Sequence, residues 1–450
     1  MSSVRLTILG GGREVGASAH LLDIDGARLL LDAGSHPRHE GLASLPRYDL
    51  AAEVDAILIT HAHLDHVGSL PLAIKRFPRA RIYWSRATEM LSIRQLHASV
   101  AVMRKEQEAG RYGEPLLFHH DEVEQLGWRG WPVVNGQTTQ IASPSRVEVT
   151  PFATGHLLGG QGFVVESSTA RVVYTGDFCG HAREMQPAAE PPPVKADVLI
   201  MEGTYGATAE YSGDGYETEV ERFAAGLERV LSRGGSVLVP AFALGRTQEI
   251  LVMLRRLMGR RRIPRVPVRV SGLGRAMSEV HDRCRDEPSM FPRRWRLSRW
   301  PLVIESHELA NFDHALARPA IYVLTSGMML SGTSSAIAAE RMIGDERHGI
   351  FFVGWVDPSL LGHRVQQTPV GEWIEFQKGR PMTRRRTQDL DRFWFSGHAD
   401  RQRLLAMVEH FDPRHVVLVH GEEPALAWLA ENISPRRRVH RPAVGETLTF

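Results

Sequence analysis

Apolar and polar positions alternate in short runs through the first two hundred residues. Residues 4–9, 19–24, 27–31, 55–59 and 81–84 each show the period-two or β-branched pattern of a strand, and so do 146–152, 162–166, 171–174 and 198–201. A helical pattern over 69–77 is placed outside this β-rich layer. From about residue 205 the pattern changes to alternating helix and strand: helices over 216–233 and 246–258, strands over 236–240, 266–270, 321–324 and 349–353. Such alternation predicts an α/β unit with a largely parallel sheet. From about residue 387 strand-then-helix units return, with 393–395 and 415–419 as strands. Pro191-Pro192-Pro193 reads as a rigid connector.

With 450 residues, two domains are the expectation, and 43% hydrophobic content is enough for real cores. No run of roughly 18 apolar residues occurs, and Arg5 inside an alternating strand spoils a signal-peptide layout. A cytoplasmic protein without a membrane partner is expected. Cys179 and Cys284 are the only cysteines, so neither a thiolate zinc cage nor a disulfide framework is available. The net charge of +2 decides nothing about a polyanionic partner. Only Lys75, Lys105, Lys195 and Lys378 are lysine among 54 basic residues. Arginine suits bidentate phosphate contacts, yet a GC-rich genome produces the same excess.

The chemistry concentrates in His61-Ala62-His63-Leu64-Asp65-His66, directly after the apolar run 54–59. Imidazole and carboxylate suit Zn²⁺. His61 and His63 fall on one side of an extended segment while Asp65 and His66 begin the next element, which suggests two metals. Other strands also end in groups that bind metals or move protons: Asp32, His156, Asp177, Glu202, His398 and His420. Strand-end loops are where binding residues gather, although one such residue alone is more often a turn or capping residue.

The series Asp32, His61 to His66, His156 and Asp177 resembles the motifs of the metallo-β-lactamase fold. Glu202-Gly203-Thr204-Tyr205-Gly206, Phe395-Ser396-Gly397-His398-Ala399-Asp400 and Leu418-Val419-His420-Gly421-Glu422 resemble the extra motifs of its β-CASP nuclease branch. Residues 240–246 and 325–329 are similar to further segments of that family. The resemblance implies an αββα metallo-β-lactamase sandwich, residues 1–206 and 386–450, with an inserted β-CASP α/β domain over 207–385 acting as a lid, and a single strand entering between them. It implies two zinc ions, manganese being the alternative. His61, His63 and His156 would hold one, Asp65, His66 and His420 the other, and Asp177 would bridge them. Such a pair clamps a phosphate and yields hydroxide at neutral pH.

By the same resemblance Asp32 supports a ligand histidine, though local sequence fits a turn residue equally well. His398 is the candidate general acid, hydrogen-bonded to Glu202, and with Asp65 these two form the catalytic set. Arg246, at a predicted helix start, and the turn Ser326-Gly327-Met328 would contact phosphates. Charge runs such as 260–262, 293–294 and 384–386 are most often solvated faces. The glycine-rich stretch 10–16 does not fit GxGxxG and resembles the family's first hairpin turn. His119 and His120 read as exposed, and His181 as a loop residue near the site.

The family usually has Ser where this chain has Gly203, a Leu-Gly-Arg-Arg-type segment where it has 361–364, and an Asp-Ser-Pro-Leu version of 271–274. These three departures are expected in the lid. The layout is closer to compact prokaryotic β-CASP ribonucleases and the cleavage-and-polyadenylation endonuclease subunit than to variants with KH or C-terminal domains. The expected activity is zinc-dependent hydrolysis of single-stranded RNA, endonucleolytic with a 5′-exonuclease option. A DNA nuclease of the crosslink-repair branch is the rival, and His420, where that branch more often has Val, favours RNA. A non-catalytic scaffold is the third reading, opposed by the complete ligand set. Oligomeric state stays open, a homodimer included.

Overall fold

Leu29, Leu30 and Leu31 are all fully buried, although neighbours along a strand point to opposite faces, so the strand Ala27–Leu31 is covered on both sides. Leu29 and Leu31 join Leu6, Leu22, Phe163, Val198 and Ile200 in a core between two sheets. Leu30 joins Ile57, Val67, Leu70 and Trp84 in a second core beneath helices. The opposite sheet repeats the pattern, with Val198 and Ile200 facing inward and Leu199 and Met201 meeting Leu404, Phe411 and Leu426. The layers are therefore helix, sheet, sheet, helix.

The structure, a computed structural model, describes residues 4–110, 113, 115–209, 211–284, 296–300, 302–303, 312 and 316–450. It divides into two units, one of residues 1–182, 186–213 and 397–450 and one of 183–185 and 214–396. In chain order the second is inserted into the first.

Both sheets of the first unit have seven strands. Ala27–Leu31, Ala56–Leu58 and Arg81–Trp84 run parallel in one, and Arg171–Tyr174, Val198–Glu202 and His415–Val419 in the other. Parallel strands end at one margin. The loops that follow them carry Asp32, His61 to His66, Asp177 and His420.

The second unit is built on a six-stranded sheet in the order Leu302–Val303, Val268–Val270, Ile321–Leu324, Val237–Pro240, Gly349–Phe352, Asp389–Arg392, with parallel pairing throughout. Val237, Val239 and Phe351 face Phe223 of Tyr216–Ser232 and Leu254 of Arg246–Gly259. Leu238, Ile350 and Phe352 face Met342 of Ser334–Met342 and Val365 of Leu361–Gln367. A sheet buried on both faces explains its near-continuous apolar strands. Among the described residues no helix is long and apolar enough to cross a membrane.

The pattern predicts a strand over 393–395, but the strand is Asp389–Arg392, which pairs with Gly349–Phe352 and so belongs to the second unit. The helix expected over 69–77 is Leu70–Arg76, flanked by Ser69 and Phe77, and a short helix Leu64–Val67 precedes it. Pro191 to Pro193 lie inside the first unit, where Pro192 O accepts from His410 Nε2 at 2.8 Å. Gly203 also lies in the first unit and not in the inserted one. A Cβ there would meet the side-chain methyls Leu426 Cδ2 and Leu429 Cδ1 of the helix Glu423–Asn432, which would have to shift to admit a side chain.

Candidate metal centre

His63 caps the short helix Leu64–Val67 from an extended conformation. The strand thus delivers His61 and His63, and the first turn delivers Asp65 and His66. The loop is tied down by main chain: Ser18 N donates to Asp65 O at 2.8 Å and Ala33 N to His66 O at 2.8 Å. The glycine-rich turn 10–16 also serves the site, because His420, in the left-handed region at φ 46°, donates its N–H to Gly11 O at 2.9 Å.

Candidate ligand atoms gather in three groups, each with its members within 4.8 Å of one another: His61, His63, His156 and Asp177; Asp65, His66 and His420; Asp177, Glu202 and His398. Asp177 Oδ2 lies 3.6, 3.4 and 3.8 Å from the Nε2 atoms of His61, His66 and His156. Its Oδ1 lies 3.3 Å from His420 Nδ1. His420 Nε2 faces Asp65 Oδ2 at 3.2 Å.

Hydrogen bonding decides which nitrogens face inward. His156 Nδ1 is 2.8 Å from Gly397 O, which can only accept, so Nδ1 carries the proton and Nε2 points a lone pair at His63 Nδ1, 3.1 Å away. His66 Nδ1 likewise donates to Asp32 Oδ2 at 2.8 Å. No hydrogen bond reaches the buried His66 Nε2 or Asp177 Oδ1. Ring nitrogens crowded about one point, with the unpartnered buried His66 Nε2 and Asp177 Oδ1 beside them, form a donor set that fits a divalent cation.

Asp32 is fully buried and accepts from Thr60 N at 2.7 Å, Thr60 Oγ1 at 2.9 Å, Tyr174 OH at 2.7 Å and His66. Its place in the site therefore goes beyond a turn. Asp32→Ala is expected to weaken metal binding about 10- to 100-fold, measured by chelator competition.

Burial holds His61 and His156 well below the ordinary imidazole range and His63 at about 4, the neutral form that ligation needs. Burial acts the same way on His66, but Asp177 and Asp32 outweigh it and push this ring well above its usual range. A cation held among these groups would supply the positive charge that this proton supplies. Burial opposes ionisation of Asp177 too, and the imidazoles of His420, His66 and His398 overcome it.

Glu202 is fixed at both oxygens: Oε1 accepts from Phe178 N and Oε2 from His398 Nδ1, each at 2.9 Å. That bond closes the third group. Burial would lower the His398 pKa, but Glu202 and then Asp177 raise it to about 9. Its side chain is 20% exposed.

The other expected site residues lie in the second unit. Half-buried Arg246 opens the helix Arg246–Gly259. Ser326, Gly327 and Met328 follow the neighbouring strand Ile321–Leu324, and a Cβ on Gly327 would stand 2.8 Å from Phe242 N. These four share one end of that sheet and belong to none of the ligand groups. His119 is exposed, as expected, and His120 is 2.8 Å from His97. His181 is buried 3.5 Å from Cys179 Sγ and outside the ligand groups. Arg262 pairs with Glu221 and Arg385 is buried, while Arg293 and Arg294 lie outside the described residues. Sequence reading misses Thr60, Tyr174 and Thr204, the last with Oγ1 3.2 Å from His420 Nδ1. Thr60 and Thr204 adjoin recognised motifs, and that is the signal available.

Residues 12–189 match the metallo-beta-lactamase superfamily, 247–365 the Beta-Casp domain and 384–442 the Zn-dependent metallo-hydrolase RNA specificity domain. The chain is similar to cleavage and polyadenylation specificity factor 73 of Drosophila melanogaster, 30% identical over 429 residues, covering 94% of this chain and 60% of that protein. Endoribonuclease YSH1 of Kluyveromyces lactis is 29% identical over 448 residues, covering 95% and 56%. The chain thus spans less than two thirds of the length of these relatives. A crystal structure of a protein of unknown function from Enterococcus faecalis V583 covers 100% of both chains with a TM-score of 0.58 and 14% identity, a likeness of fold.

Proposed function

Because the chain belongs to the β-CASP branch of the metallo-β-lactamase superfamily, we propose that it is a metal-dependent endoribonuclease acting on single-stranded RNA. His61, His63 and His156 would hold one divalent ion and Asp65, His66 and His420 a second, with Asp177 shared. Zinc is the metal of this reading and manganese the alternative. When bound, such ions neutralise phosphate charge and bring the pKa of water toward about 7.

The chain's own groups do the rest. Asp32 fixes the tautomer of His66. Glu202 anchors His398 through Nδ1 and keeps the ring protonated, leaving Nε2 as the proton donor to the departing ribose oxygen. Arg246 and the main-chain N–H groups of the turn 326–328 bind phosphates of the strand. RNA is the substrate class because an RNA specificity domain matches 384–442 and relatives are named endoribonucleases.

The observation that carries the reading is the convergence of seven ligand-type side chains beside the His398–Glu202 pair. The test is incubation of metal-replete protein with end-labelled single-stranded RNA and DNA of matched sequence. Internal cuts in RNA with DNA left intact are expected. A ladder growing from the 5′ end reassigns the mode to exonuclease; uncut RNA with filled metal sites overturns the activity.

A further inference from the structure

Two stretches at one margin of the first unit, 75–81 and 128–134, hold Lys75, Arg76, Arg79, Arg81 and Arg129 and no carboxylate. They are neighbours, because Arg81–Trp84 pairs with Gly130–Pro132 and Arg129 donates to Pro78 O. Trp128 is 92% exposed and Trp131 49%. The Arg81 guanidinium lies 5.4 Å from the centroid of the Trp131 ring. Lys75 has Glu122 at 3.4 Å, but among the described residues no carboxylate pairs with Arg76, Arg79, Arg81 or Arg129.

A single exposed apolar side chain is ordinary, but Trp128, Trp131 and Val134 stand exposed together within seven residues, and grouped apolar surface of this kind is where partners bind. Gly130–Pro132 is the outermost strand of its sheet, and Pro132, lacking an N–H, discourages a further strand from another chain. What remains is a set of uncompensated guanidinium groups interleaved with two ring faces. Charge of one sign selects a polyanion, and the rings select a polyanion with flat bases.

We propose that this margin is an auxiliary site for single-stranded RNA, with bases stacked on Trp128 and Trp131 and phosphates held by Arg79, Arg81 and Arg129. It rests on the RNA reading above and adds to it a second point of attachment. Arg81 opens its strand, whereas the candidate ligands follow the ends of strands parallel to it. A four-residue strand spans about 13 Å, so the two sites are apart. A very short RNA reaches only one of them, and a longer one reaches both.

The test compares the whole chain with its W128A/W131A variant on RNAs of about 3 nucleotides, shorter than that strand at about 3.4 Å per nucleotide, and of about 30 nucleotides. KM for the longer RNA is expected to rise roughly tenfold in the variant, with kcat and both constants for the shorter RNA unchanged. R79E/R81E is expected to flatten the dependence of log affinity on log salt by about two for the longer RNA alone. An unchanged KM for the longer RNA, or an equal loss at both lengths, overturns the proposal. So does a shift in sedimenting mass with RNA affinity intact, which would assign the surface to a second copy of the chain. Fluorescence anisotropy with labelled RNA reads the same contrast without turnover. A chain that cuts nothing but shows this contrast would therefore refute the nuclease reading and leave the surface standing.

Discussion

Asp177→Ala is expected to empty at least one metal site and to stop RNA cleavage. Its carboxylate reaches both sets of histidines: Oδ2 faces His61, His66 and His156 within 3.8 Å, and Oδ1 faces His420 at 3.3 Å. Without it, two cations in a dry site would repel each other with no anion between them, and their affinities would fall together. A metal pair contributes several kcal/mol to stabilising a phosphoryl transition state, so the loss is about a thousandfold or more in rate. Metal content by mass spectrometry and cleavage of end-labelled RNA check both parts. Full activity with two ions per chain in the variant would remove Asp177 from the centre.

His398→Ala is expected to separate chemistry from metal binding. The ring is held by Glu202 at 2.9 Å and lies 3.9 Å from Asp177 Oδ2, beside the ligand cluster and attached through its own carboxylate. Loss of a general acid costs about 10²- to 10⁴-fold in kcat, and the variant should retain the metal content of the parent. Loss of an ion in proportion to activity would make His398 a ligand instead. Glu202→Gln should fall between, because Phe178 N still anchors one oxygen while the charge that favours the imidazolium is gone.

The strands and the crowding of ligand-type residues at their ends were legible in the sequence from apolar runs, whereas the grouping of those residues and their roles came from the resemblance to the β-CASP family. Asp32, His61 to His66, Asp177, Glu202 and His420 each come directly after, or at the end of, an apolar run, and each lies at the site. Elements whose burial comes from few positions left less trace. The helix Arg86–Glu108 buries only Leu91, Leu96 and Val100 among its large apolar residues, too sparse a stripe to register. Phe393 and Phe395 look like a strand, but their rings stack 6.1 Å apart in the core of the second unit, just past the true strand. Thr60 and Tyr174 could not be assigned from sequence, since a hydroxyl within reach of Asp32 is a fact of tertiary structure. Gly203 misleads for the same reason: the leucines that pack against it, Leu426 and Leu429, lie more than two hundred residues further on.

Anomalous diffraction at the zinc edge from crystals of the metal-loaded chain tests the paired cation centre most directly. Two peaks roughly 3.5–4 Å apart are predicted, one among His61, His63 and His156, the other among Asp65, His66 and His420, with Asp177 reaching both. A single peak, or peaks away from these side chains, would contradict it.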